Sequence, residues 1–194
     1  MKFRILLPVV AAAIAVLSSC SHKPAALTVT PYPNDVTIKC GTFNAAGADF
    51  AVDPALDTDS RDIVEAFASR LSAVSGHENT LLEGTAATGF TFVLDTALDP
   101  EAYSLEINRK SVSVKASSTD GVRYAVQTFR QMLPVEIFGK TPAPDADWAL
   151  QCCTVNDAPR FGYRGLHLDV SRHFYDLAEV KKIIDLQEIY KMNT

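Results

Sequence analysis

The sequence is short of basic charge and of long apolar stretches, and each shortage argues against a class of protein. Lys and Arg together number 18 against 23 Asp and Glu, so the formal net charge is −5. Nucleic-acid binding calls for basic patches, and this acidic balance argues against a nucleic-acid partner. Beyond the amino-terminal leader no stretch is long and apolar enough to cross a bilayer. With 47% hydrophobic residues, the composition is otherwise that of an ordinary globular protein.

Cysteine is also scarce: the chain has four, at positions Cys20, Cys40, Cys152 and Cys153. They form neither a CxxC motif nor a Cys/His cluster, which argues against a zinc site and a disulfide framework. The adjacent Cys152 and Cys153 are interpreted as small apolar fillers of a strand. The sequence leaves open whether Cys40 pairs with one of them in an oxidising compartment.

The amino terminus is typical of an export signal. Lys2 and Arg4 give a positive start, an apolar run follows from Ile5 to Leu17, and two serines then lead to Cys20. This pattern resembles a bacterial lipoprotein signal, in which the cysteine becomes the acylated first residue of the mature chain. We therefore predict lipidation at Cys20 and a place in the bacterial cell envelope, with Ser21 favouring the outer membrane.

Residues 27–133 have the pattern of an α+β domain. Residues 103–107 and 111–116 alternate apolar with polar residues on both sides of a short polar turn, which predicts a β-hairpin. Apolar residues at helical spacing predict helices from about Asp59 to Val74 and from Asp120 to Leu133. Further strands are predicted over 27–33, 36–43 and 89–94. We expect a mostly antiparallel sheet with helices on one face.

The pattern changes after this domain. Glycine and prolines predict a linker over 134–156, within which Trp148 is interpreted as a plug between domains. Leu166–Val170 then predicts a strand, and residues 177–191 predict an amphipathic helix. A strand, a loop and a helix are the first step of a βα repeat. Since the chain stops where the next parallel strand would begin, we expect the first βα unit of a truncated (β/α)8 barrel.

Residues 157–174, which read DAPRFGYRGLHLDVSRHF, resemble the segment that opens the catalytic barrel of the family-20 β-N-acetylhexosaminidases. Residues 180–193 continue the resemblance, and residues 101–133 are similar to the accessory α+β domain that precedes that barrel. The expected organisation is a signal peptide (1–19), a tether (20–26), an accessory domain (27–133), a linker (134–156) and the start of the catalytic barrel (157–194).

The resemblance implies a glycoside hydrolase that acts on glycans with terminal N-acetylhexosamine by substrate-assisted, retaining catalysis. The acetamido oxygen of the substrate attacks the anomeric carbon, and an adjacent Asp-Glu pair orients the acetamide and protonates the leaving oxygen. No Asp of this chain is followed by Glu, so we expect the pair beyond residue 194 and no activity from these 194 residues alone. No metal or organic cofactor is implied.

Arg172 matches a substrate-contacting arginine of the family. It follows the predicted strand at 166–170, and active-site groups of a barrel lie at the carboxyl ends of its strands. A guanidinium can donate to two neighbouring sugar hydroxyls at once. The alternative is that Arg172 only pairs with Asp169 or Asp176 as a strut of the loop.

Other polar residues of this segment are assigned lesser roles. Asp169 is expected to orient Arg172, and Arg164, at the amino end of the strand, to support structure. His167 is interpreted as barrel packing. His173 is predicted either to touch the pocket or to pack within the loop.

Two other functions stay open. One is a different glycoside hydrolase that shares the accessory domain, such as an α-glucuronidase-like enzyme, which the barrel-opening motif disfavours. The other is a non-catalytic lipoprotein module for carbohydrate binding or structure. The expected partners are a glycan with terminal N-acetylhexosamine and a membrane reached through the lipid anchor.

Overall fold

The computed structural model describes residues 26–194 and is built around one seven-stranded sheet. The predicted signal peptide and Cys20 lie outside these residues. The strands are β1 (Asp35–Asn44), β2 (Phe50–Val52), β3 (Leu81–Glu83), β4 (Gly89–Leu94), β5 (Tyr103–Ile107), β6 (Ser111–Ala116) and β7 (Ala149–Asp157). The helices are α1 (Thr58–Ser75), α2 (Thr119–Met132) and α3 (Leu177–Ile189), with a short 3-10 helix at Val135–Phe138.

The predicted hairpin and the first two helices are confirmed. Strands β5 and β6 pair antiparallel, with Leu105 opposite Val114, and their apolar residues share one buried face. Helix α1 begins at Thr58, one residue before the predicted start, and the side chain of its N-cap residue Asp57 accepts a hydrogen bond from the Ser60 amide at 2.7 Å. It ends at Gly76, which adopts the left-handed conformation (φ 73°) that glycine reaches without steric cost.

The sheet is mixed, with the strand order β1-β7-β5-β6-β4-β2-β3. The pairs β1–β7, β7–β5 and β5–β6 are antiparallel, whereas β6–β4, β4–β2 and β2–β3 are parallel. The expectation of a mostly antiparallel sheet is therefore wrong for half of the pairings. The physical reason is the crossover through α1, which carries the chain from the end of β2 back to the start of β3.

A cluster of five phenylalanines shows that α1 and α2 cover the same face of the sheet. Phe90 on β4 stacks on Phe50 of β2 at a centroid distance of 4.3 Å. The same ring contacts Phe67 of α1 at 6.2 Å and Phe129 of α2 at 5.4 Å. The fifth ring, Phe92, lies 6.5 Å from Phe50. Since Phe90 points to one side of the sheet, both helices must lie on that side.

The predicted linker over 134–156 is wrong in its second half, because residues 149–157 form β7. This strand lies inside the sheet, between β1 and β5. Cys152 and Cys153 are both buried, as expected of apolar fillers, and they and Cys40 are free thiols. Trp148 is also buried, with its Nε1 donating to the Ala143 carbonyl at 3.1 Å. It therefore packs within the α+β domain and does not separate two domains.

The carboxyl-terminal segment forms only one of its two predicted elements. Helix α3 is present and has no buried residue, but residues 158–176 contain no strand. The predicted strand at Leu166–Val170 is wrong: no described strand lies beside it to accept its backbone hydrogen bonds, and its end residues are half exposed. His167 is exposed, so its predicted packing is also wrong. Within residues 26–194, no helix is long and apolar enough to span a membrane.

Candidate functional site

The Arg172 loop is held by a turn around Asp169. One carboxylate oxygen of Asp169, Oδ1, accepts from the backbone amides of Ser171 at 3.0 Å and Arg172 at 3.2 Å. The other, Oδ2, lies 3.1 Å from Nη1 of Arg172. The side chain of Arg172 is otherwise 91% exposed. The expected contact with Asp169 is present, and it leaves most of the guanidinium free to donate to a ligand.

The downstream end of this loop is fixed by the start of α3. The Asp176 side chain accepts from the Glu179 amide at 2.8 Å, and the Glu179 side chain accepts from the Asp176 amide at 3.2 Å. This reciprocal capping box occupies Asp176, which therefore does not pair with Arg172. His173 is exposed and contacts the ring of Tyr175 edge-on at 4.9 Å, so it packs within the loop.

Arg164 joins the carboxyl-terminal segment to the sheet domain. Its guanidinium forms an ion pair with Glu101 and donates to the Tyr124 hydroxyl at 2.7 Å. Its Nε donates to the carbonyl of Lys191 at 2.9 Å. The backbone takes part as well, since the amide of Asn193 donates to the Arg164 carbonyl at 2.8 Å. These contacts agree with the structural role expected for Arg164.

A second cluster, centred on Lys191, lies beside the first and is buried. Lys191 Nζ lies 3.0 Å from Oδ2 of Asp157 and 2.8 Å from the hydroxyl of Tyr103. That hydroxyl also donates to Asp157 Oδ2 at 2.9 Å and lies 2.7 Å from Oγ1 of Thr128. Lys191 thus connects the residues after α3 with strands β5 and β7. We call the two clusters, Arg164–Glu101–Tyr124 and Lys191–Asp157–Tyr103, the anchor.

The electrostatics of the anchor follow from its burial. Burial lowers the pKa of Lys191, and the nearby carboxylate of Asp157 opposes that shift. Burial raises the pKa of Tyr124 to about 12, and its hydrogen bond to Glu101 acts in the same direction. The hydrogen bond from Arg164 is the main reason why the pKa of Glu101 is lowered. Burial also raises the pKa of Tyr103. At neutral pH the lowered pKa of Glu101 keeps its pair with Arg164 charged, and the raised pKa values of Tyr103 and Tyr124 keep both hydroxyls protonated.

Sequence reasoning found Arg164 but missed the other residues of the anchor. The hairpin pattern accounts for Tyr103 only as an apolar residue, although a buried tyrosine hydroxyl needs a hydrogen-bond partner. That rule could have indicated a polar cluster at Tyr103. No local pattern marks Lys191, because one lysine near a helix end has many possible partners.

The described residues do not supply a metal site, since no group of three His, Cys, Asp or Glu side chains within 26–194 could hold an ion. What the structure combines is a mixed α+β domain, an anchored segment and a loop that presents an exposed arginine. This combination is the one that the resemblance predicts: an accessory domain followed by the opening of a catalytic domain.

Family models match both parts. The one described as glycosyl hydrolase family 20, domain 2, matches residues 26–158. The one described as glycosyl hydrolase family 20, catalytic domain, matches residues 161–194. The chain therefore belongs to glycosyl hydrolase family 20. The boundary between the two matches falls just after β7, in agreement with the place of that strand in the sheet.

Individual relatives show the same likeness. A β-hexosaminidase of Porphyromonas gingivalis is 36% identical over 102 residues, which are 52% of this chain and 13% of that protein. β-Hexosaminidase subunit A2 of Dictyostelium discoideum is 27% identical over 188 residues, covering 93% and 33%. The solved GH20 β-N-acetylhexosaminidase of Streptomyces coelicolor superposes with a TM-score of 0.77 at 29% identity, covering 89% and 35%. The chain thus spans about a third or less of each relative.

Proposed function

We propose that this chain is the amino-terminal part of an exported, lipid-anchored β-N-acetylhexosaminidase that removes terminal N-acetylhexosamine from glycans. The observation that carries the proposal is the exposed guanidinium of Arg172, within the segment that the family-20 catalytic model matches. Relatives named β-hexosaminidase support the substrate class, and so does the product GlcNAc bound to a Streptomyces plicatus mutant.

In the proposed mechanism Arg172 binds substrate and performs no chemistry. Asp169 contacts one end of its guanidinium, and the remaining N–H donors can meet neighbouring hydroxyl oxygens of a terminal sugar. The acetamido oxygen of the substrate is the nucleophile, and the Asp-Glu pair that assists it is placed beyond residue 194. The family-20 matches on both parts of the chain favour this reading over an α-glucuronidase-like enzyme.

The activity is tested with a chain that carries a whole catalytic domain. Arg172→Ala should lower kcat/KM on a chromogenic N-acetylglucosaminide by roughly a hundredfold, because a lost charge-assisted contact is worth about 2–3 kcal/mol. Arg160→Ala, at an exposed arginine just before the matched segment, is the control and should leave kcat/KM within about twofold. Equal losses in both variants, or none in Arg172→Ala, would contradict the assignment.

Attachment to the membrane through a lipid on Cys20 is a separate part of the proposal and rests on the leader sequence alone. Growth of an expressing bacterium with a labelled fatty acid should tag the protein, and Cys20→Ala should abolish the tag. Cys40→Ala is the control and should keep it. Tagging that survives in Cys20→Ala would refute lipidation at that residue.

A further inference from the structure

The first residues that the structure describes are packed into the sheet domain, only a short way along the chain from Cys20. Leu27 and Val29 are buried and belong to the hydrophobic core. Residues 21–25 separate Cys20 from Ala26, so six residue steps join the two. An extended chain spans at most about 3.6 Å per residue, which limits the distance between Cys20 and Ala26 to about 22 Å. A lipid on Cys20 would therefore keep Ala26 close to the bilayer.

The side chain of Gln131, on α2, fixes where this amino-terminal stretch lies. Its Oε1 accepts from the Thr30 amide at 2.8 Å, and its Nε2 donates to the Thr30 carbonyl at 2.9 Å. The same Nε2 donates to the carbonyl of Ile189, the last residue of α3, at 2.9 Å. A few residues on, the amide of Asn34 donates to Asp157 Oδ1 of the anchor at 3.1 Å. The stretch therefore lies beside the anchor, at the carboxyl end of α3.

The Arg172 loop lies toward the opposite end of the same helix. Helix α3 has 13 residues, and a rise of 1.5 Å per residue makes it about 20 Å long. Asp176 caps its amino end, and Arg172 comes four residues before this cap. Arg164, by contrast, is held at the carboxyl end, because its Nε donates to the Lys191 carbonyl at 2.9 Å. Residues 165–176 therefore carry the chain from the anchor to the far end of α3.

We propose that the lipid on Cys20 orients the protein, so that residues 26–34 face the bilayer and the Arg172 loop faces the aqueous side. The inference rests on the lipidation proposed above and adds a direction to it. The exposed side chains of the stretch suit a bilayer surface, since Tyr32 is 57% exposed and tyrosine is enriched at membrane interfaces. The substrate class that follows is a glycan that approaches from water, in preference to a glycolipid of the same membrane.

The test places a lipid on Cys20 chemically, in a chain that carries a whole catalytic domain and starts at Cys20. Cys40→Ser removes the other exposed thiol, while Cys152 and Cys153 are buried, so a maleimide lipid couples at Cys20. The measurement is then independent of whether the cell acylates this residue. Fatty-acid labelling decides that question, and its failure would refute lipidation without touching the orientation.

Energy transfer from tryptophan to dansyl-labelled lipid headgroups reports which end lies nearer to the vesicle surface. Tyr32→Trp and Phe174→Trp place the donor at exposed positions near the two ends, and the buried Trp148 gives a common background that is subtracted. Transfer should be at least about twofold more efficient from position 32, because the two ends lie about one helix length apart. Equal transfer from both positions, or more from position 174, would overturn the proposal.

The matched control is the same pair of variants without the coupled lipid. Neither donor should then transfer to the vesicles, because the lipid on Cys20 is what holds the protein there. If the difference between positions 32 and 174 persisted without the lipid, adsorption of the protein surface would set the orientation, and the proposal would be wrong.

Activity supplies a second measurement on the same vesicles. The lipid-coupled enzyme and the free enzyme should have the same kcat/KM on a soluble chromogenic N-acetylglucosaminide. The coupled enzyme should cleave an N-acetylglucosaminyl lipid of its own vesicle no faster than the free enzyme does. Faster cleavage by the coupled enzyme would show that the Arg172 loop faces the bilayer. A lack of activity on the soluble substrate in both forms would instead refute the proposed hydrolase, and the energy transfer would still decide the orientation.

Discussion

The buried pair between Lys191 and Asp157 yields the sharpest prediction about stability. Their side chains are only 6% and 11% exposed, and Nζ and Oδ2 are 3.0 Å apart. Lys191→Met removes the cation and leaves the carboxylate of Asp157 with two neutral donors, the Tyr103 hydroxyl at 2.9 Å and the Asn34 amide at 3.1 Å. Breaking a buried pair on one side typically costs about 3–5 kcal/mol. Because these two donors remain, we expect about 3 kcal/mol for Lys191→Met.

The double variant distinguishes an ion pair from simple packing. Asp157→Asn alone leaves the ammonium of Lys191 buried without a counter-charge, with only the Tyr103 hydroxyl and a neutral amide oxygen as acceptors, so it too should be costly. In Lys191→Met/Asp157→Asn no charge is left unpaired, so the free energy of unfolding should fall by less than the sum of the two single effects. The expected coupling is about 1–3 kcal/mol.

Urea unfolding of the full chain, followed by far-UV circular dichroism, measures these free energies. The matched control is the exposed pair Lys39–Glu106, whose atoms are 2.6 Å apart but whose side chains are 33% and 51% exposed. Lys39→Met should cost less than about 1 kcal/mol, because solvent screens the pair. A cost for Lys191→Met as small as that of the control, or strictly additive effects in the cycle, would refute the reasoning.

Two further predictions concern the same domain. The pKa of Glu101 is lowered from its ordinary value of 4.5. Its pairing with Arg164 therefore stabilises the fold above that pH, and this stabilisation is lost as the pH falls through the folded-state pKa. Glu101→Gln should lower the Tm at pH 7, and the difference in Tm between the variant and the wild type should disappear in acid. Gly121→Ala should lower the free energy of unfolding in urea by about 1–3 kcal/mol, because the added Cβ would lie 2.5 Å from the Ala102 carbonyl oxygen. This loss is expected although alanine favours helices more than glycine does. Gly162→Ala, with no atom within 4 Å of the added Cβ, should be nearly neutral, and an equal loss there would contradict this argument.

The elements predicted correctly are those whose signal is local. The hairpin of β5 and β6 alternates apolar and polar residues on both sides of a short turn, and α2 carries its apolar residues on one stripe. In both, the pattern and the hydrogen bonds come from neighbouring residues, so the sequence alone specifies them.

The elements predicted wrongly depend on distant partners. In strand β7 the alternation of buried residues changes phase at the adjacent Cys152 and Cys153, where the pairing with β1 is irregular, and both partner strands are distant in the chain. The predicted strand at 166–170 has a suitable apolar pattern but no described neighbour to pair with. A strand exists only when another strand accepts its hydrogen bonds, and the local pattern does not report whether one is there.

The sequence by itself determined the family and the α+β class, and it predicts Arg172 as a substrate-binding residue. Each of these depends on short motifs and on periodicity, which are local properties of the sequence. Only the tertiary structure decided that Lys191 and Arg164 anchor the last segment to the sheet. These features join residues that are far apart in the chain. Burial and hydrogen bonding give such residues their roles, and both are properties of the folded chain.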